Sequence, residues 1–166
     1  MPEKETTERA RQDAREGKSP STQAGEFVRE EMHHIREGKH GARSTKQAIA
    51  IGLSKARQAG VKLRPPKKGT TSEGTRRSAA RAYRKGQSGT AKRTSTKRSR
   101  AVKGALKREG GRAASRKALS RQARSAARRR TAANRSAAAK KAARTKGPAG
   151  RSTAARKAAR TRARRR

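Results

Sequence analysis

The 166-residue sequence has no cysteine and no tryptophan, a single phenylalanine, a single tyrosine and only 11 acidic residues. Without cysteine, neither disulfides nor thiolate metal sites can staple a small fold together. Without rows of aromatic side chains there is no platform on which single-stranded bases stack. Hydrophobic residues make up 28% of the chain, against roughly 45–50% in ordinary globular domains, and many of them are alanine. Any core is therefore small. No window approaches the roughly 20 apolar residues of a membrane span, and Met1 to Ala10 lack the apolar run of a signal peptide. A cytoplasmic location is expected.

What is present in excess is positive charge. The formal net charge is +39, and it is unevenly placed. Residues 65–166 carry 36 Lys and Arg against two acids, Glu73 and Glu109, a net of +34. The same segment has only four large apolar side chains, Tyr83, Val102, Leu106 and Leu119. A chain this basic needs a polyanion to become compact, which points to nucleic acid. The Pro65-Pro66 pair marks the change in composition. Three regions are expected: a charged lead over 1–18, flexible or helical; a small module over 19–64; and a basic arm over 65–166.

Within the module, Ser19-Pro20-Ser21 carries the chemistry of a helix start. Ala24, Phe27, Val28, Met32 and Ile35 then fall within about 140° of one another at 100° per residue, the pattern of an amphipathic helix ending near Gly38. A second helix is announced by Ser44-Thr45-Lys46-Gln47, a capping box, and should reach Gln58 with Gly60 just beyond. The alternation of Ile49, Ile51 and Leu53 also suits a short strand, although the cap and the alanine content favour helix. The module reads as a helical hairpin in which the first stripe covers Ile49 and Leu53, with Val61 and Leu63 closing its end.

The arm has low complexity. From Arg112 onward, 19 Ala and 21 Lys or Arg account for 40 of 55 residues. Short helices are expected over Ser72–Lys85 and Ser99–Glu109. Arg-Ser-Ala-Ala recurs at residues 77, 124 and 135, with spacing too irregular for a solenoid. Alanine and arginine favour helix, whereas like charges three and four residues apart repel. The expected fold is thus mostly α with a large disordered fraction: a hairpin followed by an arm that becomes helical on nucleic acid.

The candidate phosphate ligands are basic. In the loop from Gly38 to Lys46, Lys39, Arg43 and Lys46 flank a helix N-terminus, where an anion is electrostatically favoured. Along the arm the candidates are Lys67 and Lys68, Arg76 and Arg77, Arg98 and Arg100, then Arg128, Arg129 and Arg130. Lys140, Lys141, Arg156, Lys157, Arg164, Arg165 and Arg166 complete the set. Arg outnumbers Lys 24 to 12 in residues 65–166, which suits bidentate phosphate contacts. No zinc-finger spacing or other base-reading module is present. The Gly69–Gly74 glycine spacing imitates a P-loop, but Thr75 stands where lysine is required. His33 and His34, adjacent on a helix, point about 100° apart and do not chelate together. No metal, cofactor, catalytic constellation or enzyme activity is expected.

The stretch Ser19-Pro20-Ser21-Thr22-Gln23-Ala24-Gly25-Glu26-Phe27, with Ser44-Thr45-Lys46-Gln47-Ala48-Ile49-Ala50-Ile51-Gly52-Leu53 after it, resembles a small family of uncharacterised bacterial proteins. That resemblance implies a bacterial origin and no particular activity. The arm is similar in composition to bacterial linker-histone-like nucleoid proteins, although it is richer in Arg than Lys and lacks repeated Pro-Lys-Lys units. The expected function is DNA binding without sequence preference, in a nucleoid-associated protein that helps organise or compact DNA. Alternatives are an RNA-binding or ribosome-associated protein, and an adaptor whose module recruits a protein partner while the arm tethers nucleic acid. A membrane partner is not expected.

Overall fold

In the computed structural model the described residues are 2–89 and 95–164, and the regular elements among them are all helical. The elements are α1 (Lys4–Arg15), α2 (Pro20–Arg36), α3 (Thr45–Gln58), α4 (Glu73–Gln87), α5 (Thr96–Lys107), a 3-10 turn (Gly111–Ala114), α6 (Arg116–Arg128) and α7 (Ala132–Ala163). They divide into two compact units, Met1–Gln122 and Ala123–Arg166, with the boundary inside α6.

The helix starts of the first unit follow from short polar side chains. The Ser19 hydroxyl accepts from the Thr22 amide at 3.4 Å, with Pro20 in the first turn. The Ser44 hydroxyl accepts from the Gln47 backbone amide at 3.2 Å, while the Gln47 side-chain Oε1 accepts from the Arg43 backbone amide at 2.8 Å. The cap is reciprocal, but it reaches one residue further back than a standard capping box. Residues 45–58 form one continuous helix, so the alternative of a strand over Ile49, Ile51 and Leu53 is set aside.

The helices α2 and α3 pack closely enough that Gly52 decides the fit. A Cβ on Gly52 would stand 2.7 Å from the Val28 Cα and 3.0 Å from the Phe27 carbonyl oxygen. Two small cores result. Phe27 with Ala10, Ala24, Ala56 and Val61 forms one, against which Leu53 and Leu63 pack. Met32 and Ile35 with Ala42, Ala48, Ala113 and Ala114 form the other, against which Val28, Ile49 and Leu119 pack. Ile49 and Leu53 thus serve different cores. The lead also takes part, since α1 docks on α2 and buries Ala10 and Thr6.

The expected large disordered fraction is corrected by the structure. Residues beyond 65 form α4 to α7, and no large disordered fraction remains among the described residues. The reasons are local and tertiary. Hydroxyl caps start α4, α6 and α7: Ser72 accepts from the Thr75 amide, Ser115 from Ala118 and Thr131 from Asn134, at 3.2 to 3.3 Å. High alanine content then sustains them. Part of the segment is also buried, because Ala113 and Ala114 enter the Met32 core and Ala79 and Ala82 of α4 are covered where α4 packs on α3. Helix therefore does not wait for nucleic acid. In the second unit α7 is interrupted at Gly147, whose φ of 64° lies in the left-handed region, immediately before Pro148.

Replacing a mid-helix glycine ordinarily stabilises a helix, so the tight crossing has a sign that can be measured. Gly52→Val should lower stability by about 1–3 kcal/mol, read as a lower urea midpoint. Unchanged or raised stability would contradict the close approach of α2 and α3.

Candidate nucleic-acid interface

The helix α4 shows how basic residues are displayed on this fold. Its buried side is set by Ala79 and Ala82, and its end is tied to the residues just after α3 by Gln87 Nε2, which donates to the Gly60 carbonyl at 3.0 Å. At 100° per residue, Arg77, Arg81 and Arg84 fall within about 60° of one another and roughly opposite the alanine seam. All three are exposed. The docked helix therefore presents a row of three guanidinium groups, each about one turn from the next. The same spacing recurs at Arg100, Lys103 and Lys107 along α5, and at Lys117, Arg121, Arg124 and Arg128 along α6.

The other candidate cations are distributed differently. Lys67 and Lys68 are exposed in the connection before α4, Arg98 and Arg100 on α5, and Arg128, Arg129 and Arg130 at the end of α6. Lys140, Lys141, Arg156 and Lys157 are exposed on α7, where cations point to all sides rather than forming one row. Arg164 is exposed at the end of that helix; Arg165 and Arg166 lie outside the described residues. Arg76 is partly covered and donates from Nε and Nη2 to Glu73, at 2.9 to 3.1 Å. That pairing raises the Arg76 pKa and lowers that of Glu73. Arg76 is thus the candidate on α4 already engaged by an acid, while Arg77 stands exposed beside it.

The loop before α3 is organised by protein contacts. The Gly41 amide donates to the Leu106 carbonyl at 2.8 Å and the Ala42 amide to the Gly110 carbonyl at 3.3 Å. A Cβ at Gly41 would collide with the Glu109 carbonyl, so the loop and the end of α5 meet backbone to backbone. Thr45 Oγ1 donates to the Ala113 carbonyl at 2.7 Å, and Arg36 Nε to Ala114 at 3.0 Å. The amides of Gly41, Ala42 and Arg43 therefore have partners within the chain. Arg43 and Lys46 remain exposed beside the α3 N-terminus. Lys39 is drawn away to Glu37 at 3.0 Å and Glu3 at 3.3 Å. These contacts raise its pKa, Glu37 contributing most.

Arg81, Arg84, Lys103, Lys107, Lys117, Arg121 and Arg124 were not singled out from the sequence. Their signal is the helical spacing of cations; which face of a helix is displayed depends on docking, which spacing along the chain does not show.

Residues 15–68 match the model of a family of unknown function, DUF6496. The match spans α2 and α3 and ends before α4, so it says nothing of the basic helices. Neither a curated protein nor a solved structure matches the chain.

The acids beside Lys39 carry a pH signature. Glu3 is held below the usual carboxylate value of 4.5, chiefly by its hydrogen bond with His34 and then by Lys39; Glu37 is lowered chiefly by Lys39. Near that value the folded chain binds fewer protons at these groups than the unfolded chain does. Their contribution is therefore full above about pH 4.5 and is lost as the pH falls below it. Lys39→Ala should flatten the fall of the urea midpoint between about pH 5 and pH 3, and an unchanged profile would contradict the pairing.

Proposed function

We propose that this protein binds duplex DNA without sequence preference and helps organise or compact it in the nucleoid. The row of Arg77, Arg81 and Arg84 on α4, opposite the Ala79 and Ala82 seam, is the observation that carries this reading. A helix held on one side and basic on the other meets phosphates without first being ordered, which lowers the entropic cost of binding. Charge supplies the rest: 36 basic residues against two acids beyond residue 64 attract any phosphate polymer. Of those two acids, Glu73 is already paired with Arg76.

Arginine forks favour phosphate oxygens and narrow minor grooves, and neither contact reads base sequence. Tyr83, the single tyrosine, is partly buried and gives no stacking surface for splayed single strands. This favours a duplex over single-stranded RNA. Among the described residues no helix is long and apolar enough to cross a membrane.

Binding of a duplex should weaken steeply with salt. Ten simultaneous phosphate contacts correspond to a slope of log K against log salt of about −9. Combined Arg77→Gln, Arg81→Gln and Arg84→Gln substitutions should make that slope shallower by roughly 2.7 if all three residues contact phosphate. The relative affinities for duplexes of different sequence should stay the same. Fluorescence anisotropy across a salt series checks both, and an unaltered slope removes α4 from the interface. In a native lysate, DNase but not RNase should release the protein; the reverse result would assign it to RNA.

A further inference from the structure

The end of α2 buries an acidic pair with an unusual surrounding. Glu30 and Glu31 are 4% and 0% exposed. Glu30 Oε2 accepts from the Glu3 amide at 3.4 Å, but Glu30 Oε1 and both oxygens of Glu31 have no hydrogen-bond partner. Lys55 of α3 brings its Nζ to 2.7 Å from Glu31 Oε2 and 3.5 Å from Glu30 Oε1. These are ion-pair distances, yet the approach lacks hydrogen-bond geometry. Two buried carboxylates thus face one ammonium, and a buried negative charge is costly without further compensation.

Two histidines come to this place from different directions. His34 lies one turn beyond Glu30 on α2, and His40 arrives from the loop after the helix. Its Nε2 stands 3.3 Å from Glu31 Oε1, while His34 Nδ1 stands 3.9 Å from Glu30 Oε1. One donor atom from each of Glu31, His34 and His40 lies within 4.8 Å of the other two. The two rings meet nearly edge to face, their centroids 6.1 Å apart.

The opposite nitrogen of each ring is held by an oxygen. His34 Nε2 is 2.8 Å from Glu3 Oε1, and His40 Nδ1 is 3.1 Å from the Gly41 carbonyl. A carbonyl only accepts, so His40 Nδ1 carries a hydrogen; the Glu3 carboxylate places one on His34 Nε2 in the same way. In the neutral rings this leaves lone pairs on His34 Nδ1 and His40 Nε2, both turned towards buried carboxylate oxygens. Lone pairs and carboxylates repel unless a cation lies between them. Outer oxygens that fix ring orientation in this manner are the usual supports of metal-binding histidines.

We propose that Glu31, His34 and His40 form a binding site for a divalent transition metal, with Zn²⁺ the best fit. Two imidazoles and one carboxylate suit zinc, whereas Ca²⁺ and Mg²⁺ prefer oxygen ligands. The 3.3 Å separation of His40 Nε2 and Glu31 Oε1 matches one edge of a tetrahedron with metal bonds of about 2.0–2.2 Å. Closing the remaining donors onto such a centre takes movements of about 1 Å. Glu30 Oε1 or water supplies the fourth position, and Lys55 stays on the far oxygen of Glu31. His33 has no part, because it turns outward to Glu37 at 2.9 Å. The metal would clip the loop to α2, and the next residues of that loop, Gly41 and Ala42, are the ones that bind Leu106 and Gly110.

The test uses the full chain, freed of nucleic acid by nuclease and high salt and stripped of metal with a chelator. Titration with Zn²⁺ against a chromogenic competitor should show one ion per chain, and the thermal midpoint should rise with Zn²⁺. His40→Gln should abolish stoichiometric binding, Glu3→Gln should weaken it by about 10–100-fold, and His33→Gln should leave it unchanged. Circular dichroism of each variant reports whether it has folded. If His40→Gln does not fold, Co²⁺ added to the unaltered chain decides, since a low-coordinate nitrogen and oxygen site gives visible d–d absorption. A featureless Co²⁺ spectrum, no saturable Zn²⁺ binding in a folded chain, or full binding by folded His40→Gln would overturn the proposal.

Discussion

The first unit depends on the contact of two helix backbones. With so few large side chains, α2 and α3 cannot be held apart around a thick core, and Gly52 lets them approach until the Val28 backbone fills the place of a side chain. Close approach brings Phe27 onto Ala56 on one part of the interface and Ile35 with Met32 onto Ala48 on another. Alanine, which buries little surface by itself, becomes a useful core residue when backbones are this near. The helices α1 and α4 and the Gly111–Ala114 turn all dock on α2 or α3.

Charge shapes the remainder. Like-charged helices repel, and α4 manages this by placing its small apolar residues on one side and a row of cations on the other. On α4 the alanines take the inside and Arg77, Arg81 and Arg84 the outside, so docking and display are the same event. The acids are concentrated differently. Nine of the 11 lie before residue 65, where they pair with local cations such as Arg9 with Glu26 at 2.8 Å and Lys18 with Asp13 at 2.7 Å. Only two acids, Glu73 and Glu109, lie beyond residue 64 to balance the cations of α4 to α7.

Much of the first two helices in the module was legible in the sequence. The Ser19 and Ser44 caps, the amphipathic stripe from Ala24 to Ile35 and the ends near Gly38 and Gly60 are local properties, and local properties survive into the fold. Beyond Pro65 the helices expected over Ser72–Lys85 and Ser99–Glu109 are present as α4 and α5, but which residues are buried was not legible, for a physical reason. Alanine in a basic segment looks like spacer until a partner surface exists, and Ala113 and Ala114 have one only because Met32 and Ile35 are already in place. The outward face of the α4 row was hidden in the same way, since it is set by the burial of Ala79 and Ala82 against α3. The convergence of His34 and His40 was hidden differently: it requires the loop after Gly38 to fold back on α2, and residue spacing along one helix does not show that.

By itself the sequence determined the electrostatic character of this protein, because net charge and the scarcity of acids do not depend on conformation. It determined the absence of a large core and of disulfides for the same reason. Only the tertiary structure decided which cations stand free, which are drawn to Glu3, Glu37 or Glu73, and which alanines are core. Those outcomes depend on distances between residues far apart in the chain. The burial of Glu31 beside His40 and Lys55 belongs with them, since it exists only where the loop after α2 and the middle of α3 come together.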